Sequence, residues 1–200
     1  MRFKHLSPFL HGLEAPTRRH FFHHSSRWLL AGASLAPAGH ALANVSVAPH
    51  TPRHLAMSHT HTRESVALVY AIGPEFVPQA LQHLNHFLRD HYSGDVGQMD
   101  PQLFNILHLV RRELDTEQPF HIISGYRSPF TNERLRNSRG GGVAKHSLHM
   151  EGRAVDIRLP GVPLADVRDA ARDLKLGGVG YYPGEQFVHL DTGRVRNWGG

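Results

Sequence analysis

The sequence predicts an α+β domain built on a small, mainly antiparallel sheet with flanking helices. Three observations carry this. Apolar residues recur with helical spacing over residues 76–92, 101–114 and 163–174. Short runs with strand character lie between and after them, at 120–124, 153–159 and 179–191. The last run is split by Pro183-Gly184, a turn signal that folds it into a hairpin. No internal repeat is visible, and this order of elements fits the α+β class.

Residues 44–62 hold Pro49, Pro52 and four histidines with no hydrophobic period. They read as a flexible lead-in, with His50, His54, His59 and His61 in solvent. The folded domain is then expected over 63–200. Glu64 to Ile72, rich in Val, Ala, Leu and Tyr, starts it as a strand or hairpin. After Pro74, residues Phe76, Ala80, Leu81, Leu84, Phe87 and Leu88 form one helical stripe, ended by Gly94 and Gly97. Asp100-Pro101 opens a second helix as N-cap and first-turn proline, with Leu103, Leu107, Val110 and Leu114 inward. His83, His86, His91 and His108 fall mostly off these stripes, at surface or half-buried positions.

Phe120 to Ser124 is a strand ending at Gly125, Thr131 to Arg136 a short helix, and Arg139 to Gly142 a loop. Between Arg153 and Leu159 the strand period puts Ala154, Asp156 and Arg158 on one face and Val155, Ile157 and Leu159 on the other. Pro163 starts a helix with Leu164, Val167, Ala171 and Leu174 inward, and Gly177-Gly178 breaks the chain before the hairpin.

Hydrophobic residues make up 40% of the 200-residue chain, enough for one cored domain with an appendage. The formal net charge of +5 is unevenly spread. Arg2, Lys4, Arg18, Arg19 and Arg27 face only Glu14 within residues 1–43, which leaves 17 basic and 16 acidic residues beyond. A near-neutral body implies no polyanion partner, nucleic acid included.

The first 43 residues read as an address. Thr17-Arg18-Arg19-His20-Phe21-Phe22 precedes a short apolar run from Trp28 to Ala36, and Ala41-Leu42-Ala43 supplies a small-x-small cleavage pattern. This order resembles a twin-arginine export signal cleaved after Ala43. It implies the twin-arginine machinery as a partner and a periplasmic or cell-envelope location. The run is too short to cross a bilayer of ~30 Å, so no stable membrane insertion is expected after cleavage. The chain has no cysteine, which excludes disulfides, thiolate ligands and a cysteine nucleophile. Any metal site has to use His, Asp and Glu.

One stretch, KHSLHMEGRAVDIRLPG from Lys145 to Gly161, concentrates such groups. His149 stands just before a glycine-containing bend, and Asp156 lies seven residues on, inside a strand. His189 belongs to the last strand of the hairpin, which can pair beside it. Two nitrogens and one carboxylate oxygen leave the open fourth position that a catalytic zinc needs. Spacing alone leaves chance open as well, in a chain with 18 histidines. Beyond residue 120 only His121, His146, His149 and His189 remain, and three of these sit where sites are built, next to glycines or strand ends. Other motifs fail: Ala144 stands where a phosphate loop needs glycine, and H-E-x-x-H and G-x-S-x-G are absent. His189-Leu190-Asp191 has the H-x-D of an iron(II) facial triad but no histidine after it.

Four segments together resemble a known family: Ser124-Gly125-Tyr126-Arg127-Ser128-Pro129, Ser147-Leu148-His149-Met150-Glu151-Gly152-Arg153-Ala154-Val155-Asp156, Gly177 to Pro183, and Phe187-Val188-His189-Leu190-Asp191-Thr192-Gly193. They are similar to the D-alanyl-D-alanine carboxypeptidase-like zinc peptidases of bacterial cell walls, and most of all to the murein endopeptidase K branch. The likeness spans about residues 80–198. It implies the fold shared with lysostaphin-type peptidases and the hedgehog domain, a Zn2+ ion on His149, Asp156 and His189, and Arg127 steadying a substrate carbonyl or carboxylate. Metal-assisted hydrolysis of peptidoglycan peptide cross-links, 4-3 or 3-3, is the implied activity. Two or three positions before the last ligand, where relatives place a proton acceptor, stand Phe187 and Gln186. Asp191 therefore enters as the proton acceptor or as a partner that orients a ligand. His146 is the other candidate base or oxyanion donor, and Glu185 a third. A D-alanyl-D-alanine carboxypeptidase, or a wall-binding domain that keeps zinc for structure alone, are the alternatives.

Overall fold

The computed structural model of the protein describes residues 51–138 and 143–200. The twin-arginine segment, its cleavage site and the loop at 139–142 lie outside the described residues. Among the described residues eight strands form one mixed sheet: β1 (Pro52–His59), β2 (Ser65–Ile72), β3 (Glu75–Phe76), β4 (Phe120–Ser124), β5 (Ala154–Arg158), β6 (Gly178–Tyr182), β7 (Phe187–Asp191) and β8 (Arg196–Gly199). Their order is β3-β2-β1-β4-β5-β7-β6-β8. Most neighbours are antiparallel, as expected, but β1/β4 and β6/β8 run parallel, and eight strands are not a small sheet.

Helices α1 (Pro78–Phe87), α2 (Pro101–Glu113) and α4 (Leu164–Leu174) supply apolar faces to the sheet, and α3 (Pro129–Asn137) is a short polar helix beside the site. The core joins Leu84 and Phe87 of α1, Leu103, Phe104, Leu107 and Val110 of α2 and Val167 and Ala171 of α4 to the inward residues of the strands. Val155 and Ile157 of β5 are fully buried in it, on the face predicted for them. Asp100 caps α2 by accepting the Gln102 N–H at 3.0 Å, with Pro101 in the first turn.

Three expectations are corrected. The lead-in over 44–62 holds β1 in its described part, so the fold begins before residue 63. Leu55 and Met57 alternate into the core between two neighbouring strands, and Pro52 sits at the first strand position, where no ladder N–H is needed. His59 shares their face and is 1% exposed rather than solvated, whereas His54 and His61 are exposed. The helix expected over 76–92 is shorter, since Phe76 belongs to β3 and the chain leaves the helix after Phe87. There the Leu88 carbonyl accepts the Tyr126 N–H at 2.7 Å and the buried Asp90 carboxylate accepts the Ser128 N–H at 2.9 Å, so the helical ladder is replaced by contacts to the site loop.

Candidate active site

Strand pairing assembles the site. Asp156 of β5 lies directly opposite His189 of β7, as the hairpin reading anticipated. The register continues in both directions, to Ser124 on β4 and to Gly180 on β6 and Trp198 on β8. Cross-strand partners share a face, so these five positions form one row across the sheet. His149 arrives from outside the sheet on a single 3-10 turn, Leu148–Glu151, closed by Gly152 in the left-handed region at φ +67°.

His149, Asp156 and His189 are the one group able to hold a metal ion found among the described residues, with donor atoms within 4.8 Å of one another. Asp156 Oδ1 stands 2.9 Å from His189 Nδ1 and 3.3 Å from His149 Nε2, and the two nitrogens are 3.2 Å apart. Ligand atoms ~2.0–2.2 Å from a tetrahedral ion lie roughly 3.3–3.6 Å from each other, so this triangle needs only slight expansion to accept one. Each ring is also aimed from behind. The Nδ1–H of His149 donates to the Gly125 carbonyl at 2.7 Å, which turns Nε2 inward. The Nε2–H of His189 donates to Asp191 Oδ2 at 3.1 Å, which turns Nδ1 inward. Such partners behind ligating histidines fix tautomer and orientation.

The electrostatics match this arrangement. Burial works against the Asp156 carboxylate, but the adjacent His149 and His189 outweigh it and hold Asp156 well below the usual carboxylate range. Burial would lower His189, yet its hydrogen bonds to Asp156 and Asp191 raise it to about 9. Asp191 is buried, and hydrogen bonds from His189, Arg196 and the Gly193 N–H overcome that burial to keep it ionised far below its ordinary range.

Both Asp191 oxygens are engaged by donors of the described residues, three on Oδ1 and two on Oδ2. Besides His189 it accepts Arg196 NH2 at 2.7 Å, Arg196 NH1 at 3.0 Å, Gly193 N–H at 2.8 Å and Gly178 N–H at 3.1 Å. Arg127 is set just before α3: its N–H donates to the His149 carbonyl at 3.1 Å, and Ser128 next to it is bound to Asp90 at 2.8 Å. The Arg127 guanidinium reaches Asn132 Oδ1 at 3.4 Å and stands 3.9 Å from Asp156 Oδ2. His146 and Glu185 are exposed on the rim of a cleft of about 630 Å³ that opens over the cluster.

Tyr182, Phe187, Arg196 and Trp198 line that cleft as well, and the sequence reading assigned none of them a role. Tyr182 and Phe187 stack at 4.5 Å, and Trp198 donates its indole N–H to the Tyr182 hydroxyl at 2.8 Å. One signal was present: Gly178-Val179-Gly180 and Arg196-Asn197-Trp198 alternate with the period of two paired strands.

A family model described as Peptidoglycan L,D-endopeptidase MepK matches residues 47–198. The chain belongs to the MepK family of peptidoglycan L,D-endopeptidases. The peptidoglycan L,D-endopeptidase MepK of Escherichia coli (strain K12) is 41% identical over 167 residues, which cover 84% of this chain and 90% of that protein. The probable peptidoglycan L,D-endopeptidase MepK of Haemophilus influenzae is 41% identical over 151 residues, covering 74% and 80% of the two chains. Among solved structures, the L-Ala D-Glu endopeptidase ChiX of Serratia marcescens aligns over 48% of this chain and 68% of its own, at 21% identity and a TM-score of 0.33. Family membership bears out the resemblance seen in the sequence, and the MepK match begins before the expected domain start at 63, in keeping with the place of β1 in the sheet.

Proposed function

We propose that the protein is a zinc-dependent endopeptidase that hydrolyses the peptide cross-links of peptidoglycan in the periplasm, on the fold of the D-alanyl-D-alanine-peptidase and hedgehog type. The observation that carries this reading is the His149–Asp156–His189 triangle at the floor of an open cleft, with Arg127 beside it, in a chain of the MepK family. The relatives are named for an L,D bond. In a 3-3 cross-link the carbonyl comes from an L centre and the amine from a D centre. In a 4-3 cross-link the carbonyl belongs to D-alanine. The 3-3 bond between two diaminopimelate residues is therefore the favoured substrate.

His149, Asp156 and His189 would hold the ion, their Nε2, Oδ1 and Nδ1 being the atoms turned toward one another. Zinc, when bound, supplies Lewis-acid polarisation of a carbonyl and lowers the pKa of water toward ~7. Gly125 and Asp191 keep the two imidazoles aimed. The Arg127 guanidinium presents its fork to the substrate carbonyl or a neighbouring carboxylate, where charge develops. His146, exposed on the rim, carries a proton between water and the leaving amine. Three protein ligands leave room for substrate, which supports a catalytic site over a purely structural one.

Residues 1–43 serve as the twin-arginine signal in this reading. Among the described residues no helix is long and apolar enough to cross a membrane. The test is digestion of purified 3-3 dimers, 4-3 dimers and monomeric pentapeptides by the mature protein, with and without chelator. Cleavage of 3-3 dimers that chelation abolishes and zinc restores is the expected outcome. Release of D-alanine from monomers alone would make it a carboxypeptidase, and zinc binding with no cleavage of any substrate would make it a wall-binding domain.

A further inference from the structure

The row through the site does not end at the ligands. Beyond His189 stands Gly180, and beyond Gly180 stands Trp198 of β8. The next row on the same face runs Asp191, Gly178, Arg196. In both rows the β6 position is glycine and the β8 residue is large. Each β8 side chain crosses the gap: Trp198 reaches His189 with ring centroids 5.2 Å apart, and Arg196 reaches both Asp191 oxygens. A Cβ at Gly180 would stand 2.6 Å from the Trp198 ring, and one at Gly178 would stand 2.4 Å from both Arg196 NH1 and Asp191 Oδ2. The glycines form a trough through which β8 touches β7 across the intervening β6.

We propose that β8 belongs to the working site: Arg196 and Trp198 reach across the Gly178–Gly180 trough and act as positioning residues for Asp191 and His189. Arg196 fixes both oxygens of Asp191, and Asp191 in turn holds the far nitrogen of His189. Trp198 closes the exposed side of the same imidazole. Its own orientation is set by the Tyr182 hydroxyl and by the Arg196 guanidinium 4.8 Å over its ring. A side chain half-exposed in a cleft is ordinarily free to change rotamer. This indole is held by a hydrogen bond, a cation–π contact and a missing Cβ beneath it. The two residues therefore restrict His189 to the orientation that a metal requires, as partners behind metal ligands do.

The assignment of His189 as a zinc ligand comes from the proposed function, so metal affinity and turnover are measured separately. Zinc affinity of the mature protein is read by chelator competition, turnover on 3-3 dimers at saturating zinc, and folding by thermal unfolding of the metal-free protein. Arg196→Leu and Trp198→Ala are expected to weaken zinc about 10–100-fold, the range for such partners. Arg196→Lys and Trp198→Phe recover much of that loss while keeping the fold, and they decide the matter should the harsher variants not fold. Gly180→Ala weakens zinc as Trp198→Ala does, and the double variant is no worse than Trp198→Ala alone, since glycine matters only through the indole. Zinc affinity within twofold of wild type in folded Arg196→Leu and Trp198→Ala overturns the inference. A wild type that binds zinc but cleaves nothing overturns the endopeptidase reading and leaves the positioning role to the affinity results.

Discussion

Replacing Asp191 with asparagine separates orientation from proton transfer. The amide keeps the shape and one oxygen, which can stay with the Gly178 and Gly193 N–H groups. The second oxygen becomes an NH2 that confronts the Arg196 guanidinium, 2.7 Å away in the native protein, and the His189 Nε2–H, 3.1 Å away. Both are donors, so two charge-assisted hydrogen bonds are lost. Breaking a buried ion pair costs about 3–5 kcal/mol. Arg196 is 33% exposed, and water takes up part of that cost. A stability loss of roughly 2–3 kcal/mol follows. His189 loses its far-side acceptor, and zinc affinity falls about 10–100-fold, equivalent to ~1.4–2.7 kcal/mol. Chelator competition reads the affinity, and turnover on 3-3 dimers at saturating zinc reads the chemistry. Zinc is expected to bind more weakly, with kcat largely restored once zinc is saturating. Unchanged affinity with kcat reduced by ~10²–10⁴ is the signature of a lost general base and would refute it.

Two other outcomes follow from the same structure. Arg127→Lys keeps the charge but loses the fork, so kcat/KM on cross-linked dimers is expected to fall about 10–100-fold with zinc affinity little changed; equal kcat/KM in steady-state kinetics removes Arg127 from substrate binding. Burial, with His91, His61 and Arg89 nearby, pushes His59 down to about 4 from 6.5. The unfolded chain therefore takes up this proton first, and stability declines as pH falls from 6.5 to about 4, by roughly 3 kcal/mol at 1.36 kcal/mol per pH unit. Urea midpoints at pH 7, 5.5 and 4 should drop less steeply in His59→Asn than in wild type, and parallel profiles would show that His59 is not the source.

The helices of the core were legible because a stripe such as Leu103, Leu107 and Val110 is a local pattern, and local periodicity survives into the tertiary structure. The α2 cap, the β6–β7 hairpin and the two faces of β5 were legible for the same reason. Strand β1 escaped notice because only Leu55 and Met57 mark its buried face, among prolines and histidines, and its partners lie outside the segment. The parallel pairing of β6 with β8 joins segments separated by the whole of β7, and no turn signal announces such a pair.

By itself the sequence determined which groups are available: no thiols, a His-x6-Asp pair next to a strand, a second histidine on a hairpin, and motifs specific enough to point to the family. Those are properties of residue type and spacing, which folding does not alter. Only the tertiary structure decided which nitrogen of His189 faces Asp156, that Asp191 stands behind the ring instead of over the cleft, and that Arg196 and Trp198 reach the site at all. Those choices depend on register between strands far apart in the chain, and register is set by the packing of the whole sheet against its helices.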